Sequence, residues 1–318
     1  MDVNARENGI VEQCVLYALF AYKKECGGFG WRFRPAEFIG DTTSKQPNLC
    51  RCGGAKNLII VKPKLHIVKV GGHLVNDATA LQEVLRAFAK IDTPKLLVHG
   101  GGRHATALAK QLGITPKMID GRRITDAEML DVAVMSYAGL SNKKIVAQLQ
   151  ELGVNAIGLS GADGNCIKAV KRPVKEIDYG LVGDVVAVNE AVFSMLSEND
   201  LVPVLCAITH NKNGQLLNTN ADTIAAQVAI ALSTAYKVSL FYCFEHAGVL
   251  HDISNPENVI KTLTEVQTRK FVAEGTIHQG MVPKLHNGFD ALKMGVNEVI
   301  ISNTNALTNT NAPKTTLQ

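Results

Sequence analysis

Two apolar segments, each ending in glycines and each followed by a helical pattern, constrain the fold of this chain more than any other feature. Residues 65–70 predict a buried strand that ends in two glycines, and residues 77–90 then carry apolar side chains at helical spacing. Residues 95–99 predict a second strand that ends in three glycines, before a second helix at residues 105–112. Strand, glycine loop and helix in repetition are typical of βαβ units. The sequence therefore predicts an α/β fold: an open, mostly parallel sheet sandwiched by helices.

The composition agrees with buried parallel strands. Of the 318 residues, 46% are hydrophobic and only 5% are aromatic, so aliphatic side chains supply most of the core. Further strands are predicted at residues 156–159, 201–205, 238–243 and 298–301. The clearest further helices are predicted at residues 127–137, 143–152 and 223–231. The α/β pattern therefore continues along most of the chain.

Four segments are expected along the chain. Residues 1–62 are predicted to be an N-terminal extension that is poorly ordered. This segment has a helical pattern at residues 10–24 but no alternation typical of a strand. Residues 63–232 and 233–303 are predicted to be an N-terminal and a C-terminal lobe of the α/β fold. Residues 304–318, rich in Asn and Thr, are predicted to be a flexible tail.

Charge and cysteine usage argue against several classes of protein. The net charge of +4 is small for this length and the basic residues are spread out, so nucleic acid is not an expected partner. The seven cysteines have no regular spacing, which argues against a disulfide framework and for a reducing compartment. The apolar stretch at residues 15–21 is far shorter than the ~20 residues of a membrane-spanning helix. We therefore expect a cytoplasmic protein without a membrane segment or a protein-bound metal site.

The two glycine clusters are the first indication of a binding site. Gly71-Gly72 and Gly100-Gly101-Gly102 each lie between a strand and a helix, where backbone N–H groups and the helix dipole favour an anion. Neither has the spacing of a Walker A loop or of a Gly-x-Gly-x-x-Gly dinucleotide fingerprint. Either cluster by itself is also compatible with a tight turn that binds no ligand.

Lys69 is the second indication, because it lies in an apolar strand directly before the first glycine pair. A lysine in a buried strand is unfavourable unless it is paired or faces a cavity. Open α/β sheets bind their ligands at the carboxyl ends of the strands, which is where Lys69 is expected. It is therefore a candidate contact for an anionic ligand, and a lysine that merely reaches solvent at a strand end is the alternative.

A family resemblance becomes specific when the motifs are taken in order. Lys69-Val70-Gly71-Gly72 and His99-Gly100-Gly101-Gly102 resemble the first motifs of the acetylglutamate kinase family, within the amino acid kinase superfamily. The later motifs that match the family in order are Asp-Gly-Arg-Arg-Ile-Thr at 120–125, Gly-Leu-Ser-Gly at 158–161, Gly-Leu-Val-Gly-Asp at 180–184, Leu-Asn-Thr-Asn-Ala-Asp at 217–222 and Gly-Met-Val-Pro-Lys at 280–284. The resemblance covers residues 64–302 and implies the amino acid kinase fold. It also implies transfer of the γ-phosphate of ATP to the side-chain carboxylate of an N-acylated glutamate.

The resemblance assigns catalytic roles to three side chains. Lys69 and Lys284 would contact the transferring phosphoryl group, and Asp222 would hold both ammonium groups in position. A carboxylate nucleophile is already ionised at neutral pH, so this reaction needs positioning and charge stabilisation rather than a general base. Two lysines together with backbone N–H groups supply that stabilisation.

The resemblance also assigns the two binding regions, an acyl-glutamate site on the N-terminal lobe and a nucleotide site on the C-terminal lobe. Residues expected to bind the acylated glutamate are Gly101, Gly102, Arg123 and Asn218. Residues expected to bind the nucleotide are Gly71, Gly72, Glu245, Gly248, Leu250 and Ile277. The N–H groups of Gly71, Gly72 and Gly101 are expected to donate to the phosphates or to the attacking carboxylate. Mg²⁺ would be carried by the phosphates of ATP rather than by a dedicated protein site.

Departures from the family pattern leave part of the function open. Gln279 stands in place of the usual Asp, Ala162 in place of a common Lys, and residues 244–246 in place of Thr-Asp-Val. Tyr-Cys-Phe-Glu at 242–245 and Gly-Ala-Asp-Gly at 161–164 resemble a subgroup in which some members use N-succinylglutamate, which is therefore an alternative to N-acetylglutamate as the acceptor. Another kinase of the superfamily is a second alternative, and a non-catalytic amino-acid sensor, which would lack one of the lysines, is a third. For assembly, a homodimer that arginine does not inhibit is expected.

Overall fold

The computed structural model describes residues 62–119, 122–252, 254–277 and 281–318. The predicted N-terminal extension, including its helical pattern at residues 10–24, falls outside these ranges apart from Lys62. Within them, no helix combines the length and hydrophobicity that crossing a bilayer requires.

Strands and helices alternate through most of the described residues. The strands are β1 (Lys64–Val70), β2 (Lys95–His99), β3 (Met118–Ile119), β4 (Arg122–Arg123), β5 (Ala156–Leu159), β6 (Ile167–Lys171), β7 (Gly183–Val188), β8 (Val202–Leu205), β9 (Ile208–His210), β10 (Leu216–Asn218), β11 (Lys237–Cys243), β12 (Thr262–Leu263), β13 (Glu298–Ser302) and β14 (Thr315–Leu317). The α-helices are α1 (Gly72–Asn76), α2 (Ala78–Ala89), α3 (Gly102–Gln111), α4 (Ala127–Val134), α5 (Asn142–Glu151), α6 (Glu190–Glu198), α7 (Ala221–Leu232), α8 (Glu265–Ala273) and α9 (Val282–Lys293).

The main sheet contains eight strands in the order β12-β14-β13-β11-β1-β2-β8-β5. β1 lies inside this sheet and pairs in parallel with β11 on one side and with β2 on the other. The pairing of β13 with β14 is antiparallel. The prediction of an open, mostly parallel sheet is therefore confirmed. A four-stranded sheet of β10, β9, β6 and β7 and the short pair β3-β4 contain the remaining strands.

Helices cover both faces of the main sheet, because neighbouring residues of a strand bury their side chains on opposite sides. Ile67 of β1 packs in the same cluster as Ile224 of α7 and Leu285 of α9. Val68, the next residue, packs in a second cluster with Leu85 of α2. The sheet thus forms the middle of three layers, as the near-continuous apolar strands predict.

The two predicted lobes share this sheet. β1, from the first predicted lobe, pairs along its whole length with β11 from the second, from Lys64 opposite Lys237 to Val70 opposite Cys243. The proposed boundary between residues 232 and 233 consequently falls between two elements of one continuous fold, and the division into lobes stays a prediction.

The helices predicted at residues 127–137 and 143–152 are joined by a π-helical turn, Met135–Ser141, that carries the chain from α4 directly into α5. The residues between the two predicted helices include Gly139 and Ser141, which favour a break. Such π-helical insertions are rare and occur frequently at functional sites.

The prediction of a flexible tail over residues 304–318 is wrong. Residues Thr304–Leu307 form a 3₁₀ turn, and β14 inserts between β12 and β13. Thr315 is fully buried and Leu317 is 2% exposed, so alternate residues of this short strand contribute to the core. The polar composition concealed this, because three residues are too few for an alternating pattern to be recognised.

Candidate active site

Three charged side chains predicted to act together meet at the carboxyl edge of the main sheet. The ammonium nitrogen of Lys69 lies 2.8 Å from Oδ1 of Asp222, and that of Lys284 lies 2.9 Å from the same oxygen. The side chains are 9% exposed for Lys69, 10% for Lys284 and 16% for Asp222. The group is therefore nearly enclosed, but all three residues retain a surface that a ligand can reach.

Local structure fixes each member of this triad. Lys69 is the penultimate residue of β1, and Lys284 lies in the first turn of α9. Asp222 lies in the first turn of α7, where the side chain of Asn220 caps the helix by accepting from the backbone N–H of Asp222 at 2.7 Å and of Thr223 at 3.2 Å. A strand end and two helix starts, far apart in sequence, thus converge on one carboxylate.

The electrostatics of the triad favour one shared anion between two cations. Burial opposes ionisation of Asp222, but the ammonium groups of Lys284 and Lys69 outweigh it and hold the pKa of this carboxyl far below its usual range. Burial lowers the pKa of Lys284 to about 8, an effect that the carboxylate of Asp222 opposes and the charge of Lys69 reinforces. With both lysines protonated the triad carries a net positive charge, which suits a polyanionic ligand.

Tyr242 of β11 contacts the triad. Its side chain is fully buried, its hydroxyl donates to the backbone carbonyl of Asp222 at 3.3 Å, and its ring centroid lies 4.8 Å from the ammonium of Lys284. An aromatic face at this distance from an ammonium is an attractive cation–π contact. Sequence reasoning missed this residue. Its register position opposite Lys69 becomes visible only once β1 and β11 are paired.

The two glycines of the first glycine loop have different surroundings. The N–H of Gly71 donates to the carbonyl of Cys243 at 2.8 Å, so the prediction that Gly71 donates to a ligand is wrong. A side chain at Gly71 would approach this carbonyl within 3.2 Å, which favours glycine there. Gly72 begins α1, and nothing lies within 4 Å of where its Cβ would be. The space on this side of Gly72, in the first turn of α1, is thus open.

The π-helical turn packs against the second glycine loop. A Cβ on Gly101 would lie 2.5 Å from the ring of Tyr137, so no larger residue fits without displacing this ring. On another side of the loop, a Cβ on Gly100 would lie 3.9 Å from the Cβ of Ala221, the residue before Asp222. The loop therefore lies beside the start of α7 and close to the triad.

Arg123 is anchored to this second loop. It is 7% exposed, and its Nη2 donates to the carbonyl of Gly102 and to the hydroxyl of Thr106, each at 2.8 Å. Its Nη1 contacts the sulfur of Met129 at 3.8 Å. The guanidinium is thus held in one orientation with N–H groups to spare, an arrangement that suits recognition of a carboxylate.

Asn218 is linked to Arg123 through Thr125. The side-chain amide of Asn218 donates to the hydroxyl of Thr125 at 3.0 Å, and this hydroxyl lies 3.3 Å from the carbonyl of Arg123. The backbone N–H of Leu181 also donates to the carbonyl of Thr125, at 2.6 Å. Gly180 has φ +72° and passes so close to Thr125 that a Cβ could not fit. The predicted motifs at residues 120–125, 180–184 and 217–222 therefore meet, although residues 120 and 121 lie outside the described ranges.

A buried network at His99 is a second feature that sequence reasoning missed. Nδ1 of His99 lies 2.7 Å from the carbonyl of Gly100, and Nε2 lies 3.1 Å from the amide nitrogen of Asn142, which also donates to the carbonyl of Val204 at 2.9 Å. Burial lowers the pKa of His99 to about 4, so the ring is neutral at pH 7. These partners require the proton on Nδ1, since a carbonyl can only accept. Asn142, 1% exposed, thus selects the tautomer that holds the second glycine loop.

Of the residues predicted to bind the nucleotide, Glu245, Gly248 and Leu250 follow β11 and Ile277 follows α8, and most of these four are committed to packing. Glu245 is exposed, whereas Gly248 is buried, and the side chains of Leu250 and Ile277 are only 8% and 4% exposed. Any contact from Leu250 or Ile277 must therefore come mainly from backbone atoms. Gln279 lies outside the described ranges.

A cavity of about 790 Å³ lies near these residues, at the carboxyl ends of β11 and β13. It is bounded by α2 and by the segment that follows β13, and its lining includes Ala247 and residues 303–305. Within the described part of the chain, no three His, Cys, Asp or Glu side chains come together in a way that could hold a metal ion.

Comparisons with known proteins agree with this geometry. Residues 64–303 match the model of the amino acid kinase family. Acetylglutamate kinase from Bacteroides fragilis is 52% identical over 247 residues, covering 78% of this chain and 95% of that protein. A crystal structure from Streptococcus mutans UA159 superposes with a TM-score of 0.66 at 25% identity, covering 80% of this chain and 98% of that one.

At 13% identity, carbamate kinase from Giardia shares the fold, with a TM-score of 0.56 and coverage of 80% of this chain and 98% of that one. Identity of 52% over nearly the whole of a relative is far more than a shared fold requires. The chain therefore belongs to the acetylglutamate kinase family, within the amino acid kinase superfamily.

Proposed function

We propose that this protein transfers the γ-phosphate of ATP to the side-chain carboxylate of N-acetyl-L-glutamate, the kinase step of arginine biosynthesis. The observation that carries the proposal is the shared contact of Lys69 and Lys284 with Asp222, beside two glycine loops, in a chain of this family. Two fixed ammonium groups next to open backbone N–H groups favour a reaction between two anions.

In the proposed reaction, a carboxylate oxygen of the acceptor attacks the γ-phosphorus, and the bond from this phosphorus to the β,γ-bridging oxygen breaks. The products are the acyl phosphate and ADP. Negative charge on the transferring group would be stabilised by Lys69 and Lys284, and Asp222 would keep the two ammonium groups from moving apart. Because the triad is pre-formed, little reorganisation is needed when the charge develops.

The acceptor would bind along the second glycine loop. Arg123 would engage its α-carboxylate with the N–H groups that its contacts to Gly102 and Thr106 leave free. Asn218 would contact the amide of the acyl group, and Gly101 would donate its N–H to the attacking carboxylate. The N–H of Gly72, at the start of α1, would face the phosphates of the nucleotide.

Mg²⁺ would arrive with ATP. The carboxylate of Asp222 already contacts two ammonium groups, which makes it a poor ligand for a dication. Coordination mainly by the phosphates fits this donor set. When bound, the ion would neutralise phosphate charge, while the protein's own residues hold and orient the reactants.

We further propose that the enzyme is a homodimer of the cytoplasm. The reduced state of Cys166, Cys206 and Cys243, all buried, is compatible with a reducing compartment. Light scattering at assay concentration tests the assembly, and the mass of a single chain would contradict it.

A coupled assay for ADP release tests the proposed function, with N-acetylglutamate, N-succinylglutamate, glutamate and aspartate as separate acceptors. Turnover with N-acetylglutamate well above that with the unacylated amino acids is expected. Preference for N-succinylglutamate would change the acyl group but retain the chemistry. Absence of turnover with both acylated glutamates would contradict the proposal, and turnover with aspartate or glutamate alone would favour another kinase of the superfamily.

A further inference from the structure

The strand β14 contacts the predicted nucleotide-binding loop directly. The hydroxyl of Thr315 accepts from the backbone N–H of Val249 at 2.8 Å and donates to the carbonyl of Ile260 at 2.6 Å. Thr315 is fully buried, so both of these backbone groups depend on it for a partner. One hydroxyl thus ties the loop after β11 to the core.

Gly248 allows the loop after β11 to approach Thr315 closely. A Cβ at Gly248 would lie 2.7 Å from the hydroxyl oxygen of Thr315 and 3.2 Å from its backbone nitrogen. Beside it, the hydroxyl of Ser302 lies 3.0 Å from the carbonyl of Ala247 and 2.8 Å from that of Pro313. Residues 247–249 therefore rest on the segment that leads into β14.

The same strand contacts the helix that carries Lys284. Leu317 is 2% exposed, and a Cβ on Gly288 would lie 2.5 Å from its Cδ1 atom. Gly288 follows Lys284 by one helical turn, so Leu317 packs against the helical row that includes this lysine. A change in the volume of residue 317 would consequently shift or loosen the start of α9.

We propose that β14 is a positioning element for the reaction. Thr315 holds the nucleotide-binding loop in the conformation that accepts ATP, and Leu317 sets the position of α9 and hence of Lys284. This inference rests on the proposed function for the identity of the nucleotide and the role of Lys284. Neither Thr315 nor Leu317 is a catalytic residue, since both act through the elements against which they pack.

The first test replaces Thr315 and uses its neighbour as a control. Thr315→Val preserves the shape of the side chain but leaves Val249 N–H and the Ile260 carbonyl unpaired. It is expected to raise the KM for ATP about 5- to 10-fold, the scale of a lost hydrogen bond, with the KM for the acylated glutamate unchanged. Thr315→Ser retains the hydroxyl and should behave like the native enzyme, as should Thr316→Val on the same strand.

The second test is a double-mutant cycle between residues 288 and 317. Gly288→Ala alone collides with Leu317 and is expected to lower kcat. Combined with Leu317→Ala it should recover much of that loss, because the methyl group then fills vacated space. Recovery of kcat, and not only of melting temperature, is the readout that a purely structural strand would not produce. This cycle also carries the inference if Thr315→Val does not fold.

Calorimetric titration with ADP separates failure of this inference from failure of the proposed function, because it needs no turnover. If the native enzyme is active but Thr315→Val changes neither KM nor nucleotide affinity, and the cycle restores only stability, β14 merely completes the sheet and the inference is wrong. If no acylated glutamate is turned over, the proposed function fails. Weaker ADP binding by Thr315→Val would still support the role of β14.

Discussion

The two glycine loops look alike in sequence but are built differently. Each follows a buried parallel strand and begins a helix, and the two strands are neighbours in the sheet. In the first loop, Gly71 is tied to the backbone of β11, and Gly72 faces open space. In the second, Gly101 lies against Tyr137, and the carbonyl of Gly102 is held by Arg123.

We interpret this difference as one local pattern serving two purposes. The first loop leaves its helix start uncovered next to the lysines, as a site for phosphate requires. The second loop is supported by side chains from the π-helical turn and from β4, as a site that orients a smaller substrate requires. Four predictions test this distinction, beginning with the largest expected effect.

Replacement of the lysine before the first loop tests its charge. Lys69→Ala is expected to lower kcat by about 100-fold or more, the scale for removing a group that stabilises transition-state charge, and Lys284→Ala should do the same. Lys64→Ala, at the exposed opposite end of the same strand, is the matched control and should be near normal. Steady-state kinetics of variants with native circular dichroism provide the measurement. Near-native kcat in either active-site variant would remove that lysine from the proposed chemistry.

Alanine at one glycine of each loop separates function from packing. Gly72→Ala should leave the melting temperature unchanged, because its new methyl meets nothing, yet reduce kcat/KM for ATP by blocking the approach of phosphate. Gly101→Ala should destabilise the fold by about 1–3 kcal/mol through its clash with Tyr137, and should weaken turnover as well. Equal melting temperatures for the two variants, or full activity of Gly72→Ala, would contradict the distinction between the loops.

The pH dependence tests the charge next to the first loop. Lys284 is protonated below its pKa of about 8 and loses its positive charge above it. The kcat/KM for ATP should therefore be level below this pH and fall above it, approaching about ten-fold per pH unit. Lys284→Arg keeps its charge at high pH, so any activity it retains should show no such fall. A profile of the native enzyme that stays flat to pH 10 would show that deprotonation of Lys284 does not limit the reaction.

Removal of the amide behind the second loop should have the smallest effect. Asn142→Ala leaves His99 and the Val204 carbonyl without their partner, at a cost of about 1–3 kcal/mol in stability. Loss of the tautomer that holds Gly100 should raise the KM for the acylated glutamate more than that for ATP. Lys144→Ala, two residues further along α5 and exposed, is the control. Equal increases in both KM values would mean that the network supports the fold alone.

Local sequence was sufficient for the parts of the site that depend on a single strand–loop–helix unit. Lys69 and the glycines of both loops lie at the carboxyl ends of β1 and β2, where the strand pattern predicts them, and parallel strands bring these ends to one edge of the sheet. Asp222 and Lys284 were assigned through their resemblance to the family motifs. Nothing in the helical patterns of these two segments indicates that the first turns of α7 and α9 lie in contact.

Contacts between elements that are distant in sequence could not be predicted, for a physical reason. Tyr137 ends one predicted helix and Asn142 directly precedes the next, and helical spacing does not reveal which neighbour a buried side chain will meet. Tyr242 is one apolar-strand residue among several until the register of β1 and β11 is known. The role of Gly71 was wrong because its N–H bonds to a strand that is remote in sequence.

The sequence by itself determined the parallel α/β architecture and the family, because periodicity and ordered motifs are local properties of the chain. Only the tertiary structure decided how the two glycine loops differ and that residues 315–317 form a strand. Both depend on side chains and backbone groups that find their partners after the sheet has assembled. A hydroxyl such as that of Thr315 has no preferred partner in the sequence, and it acquires one only when Val249 and Ile260 are brought to it.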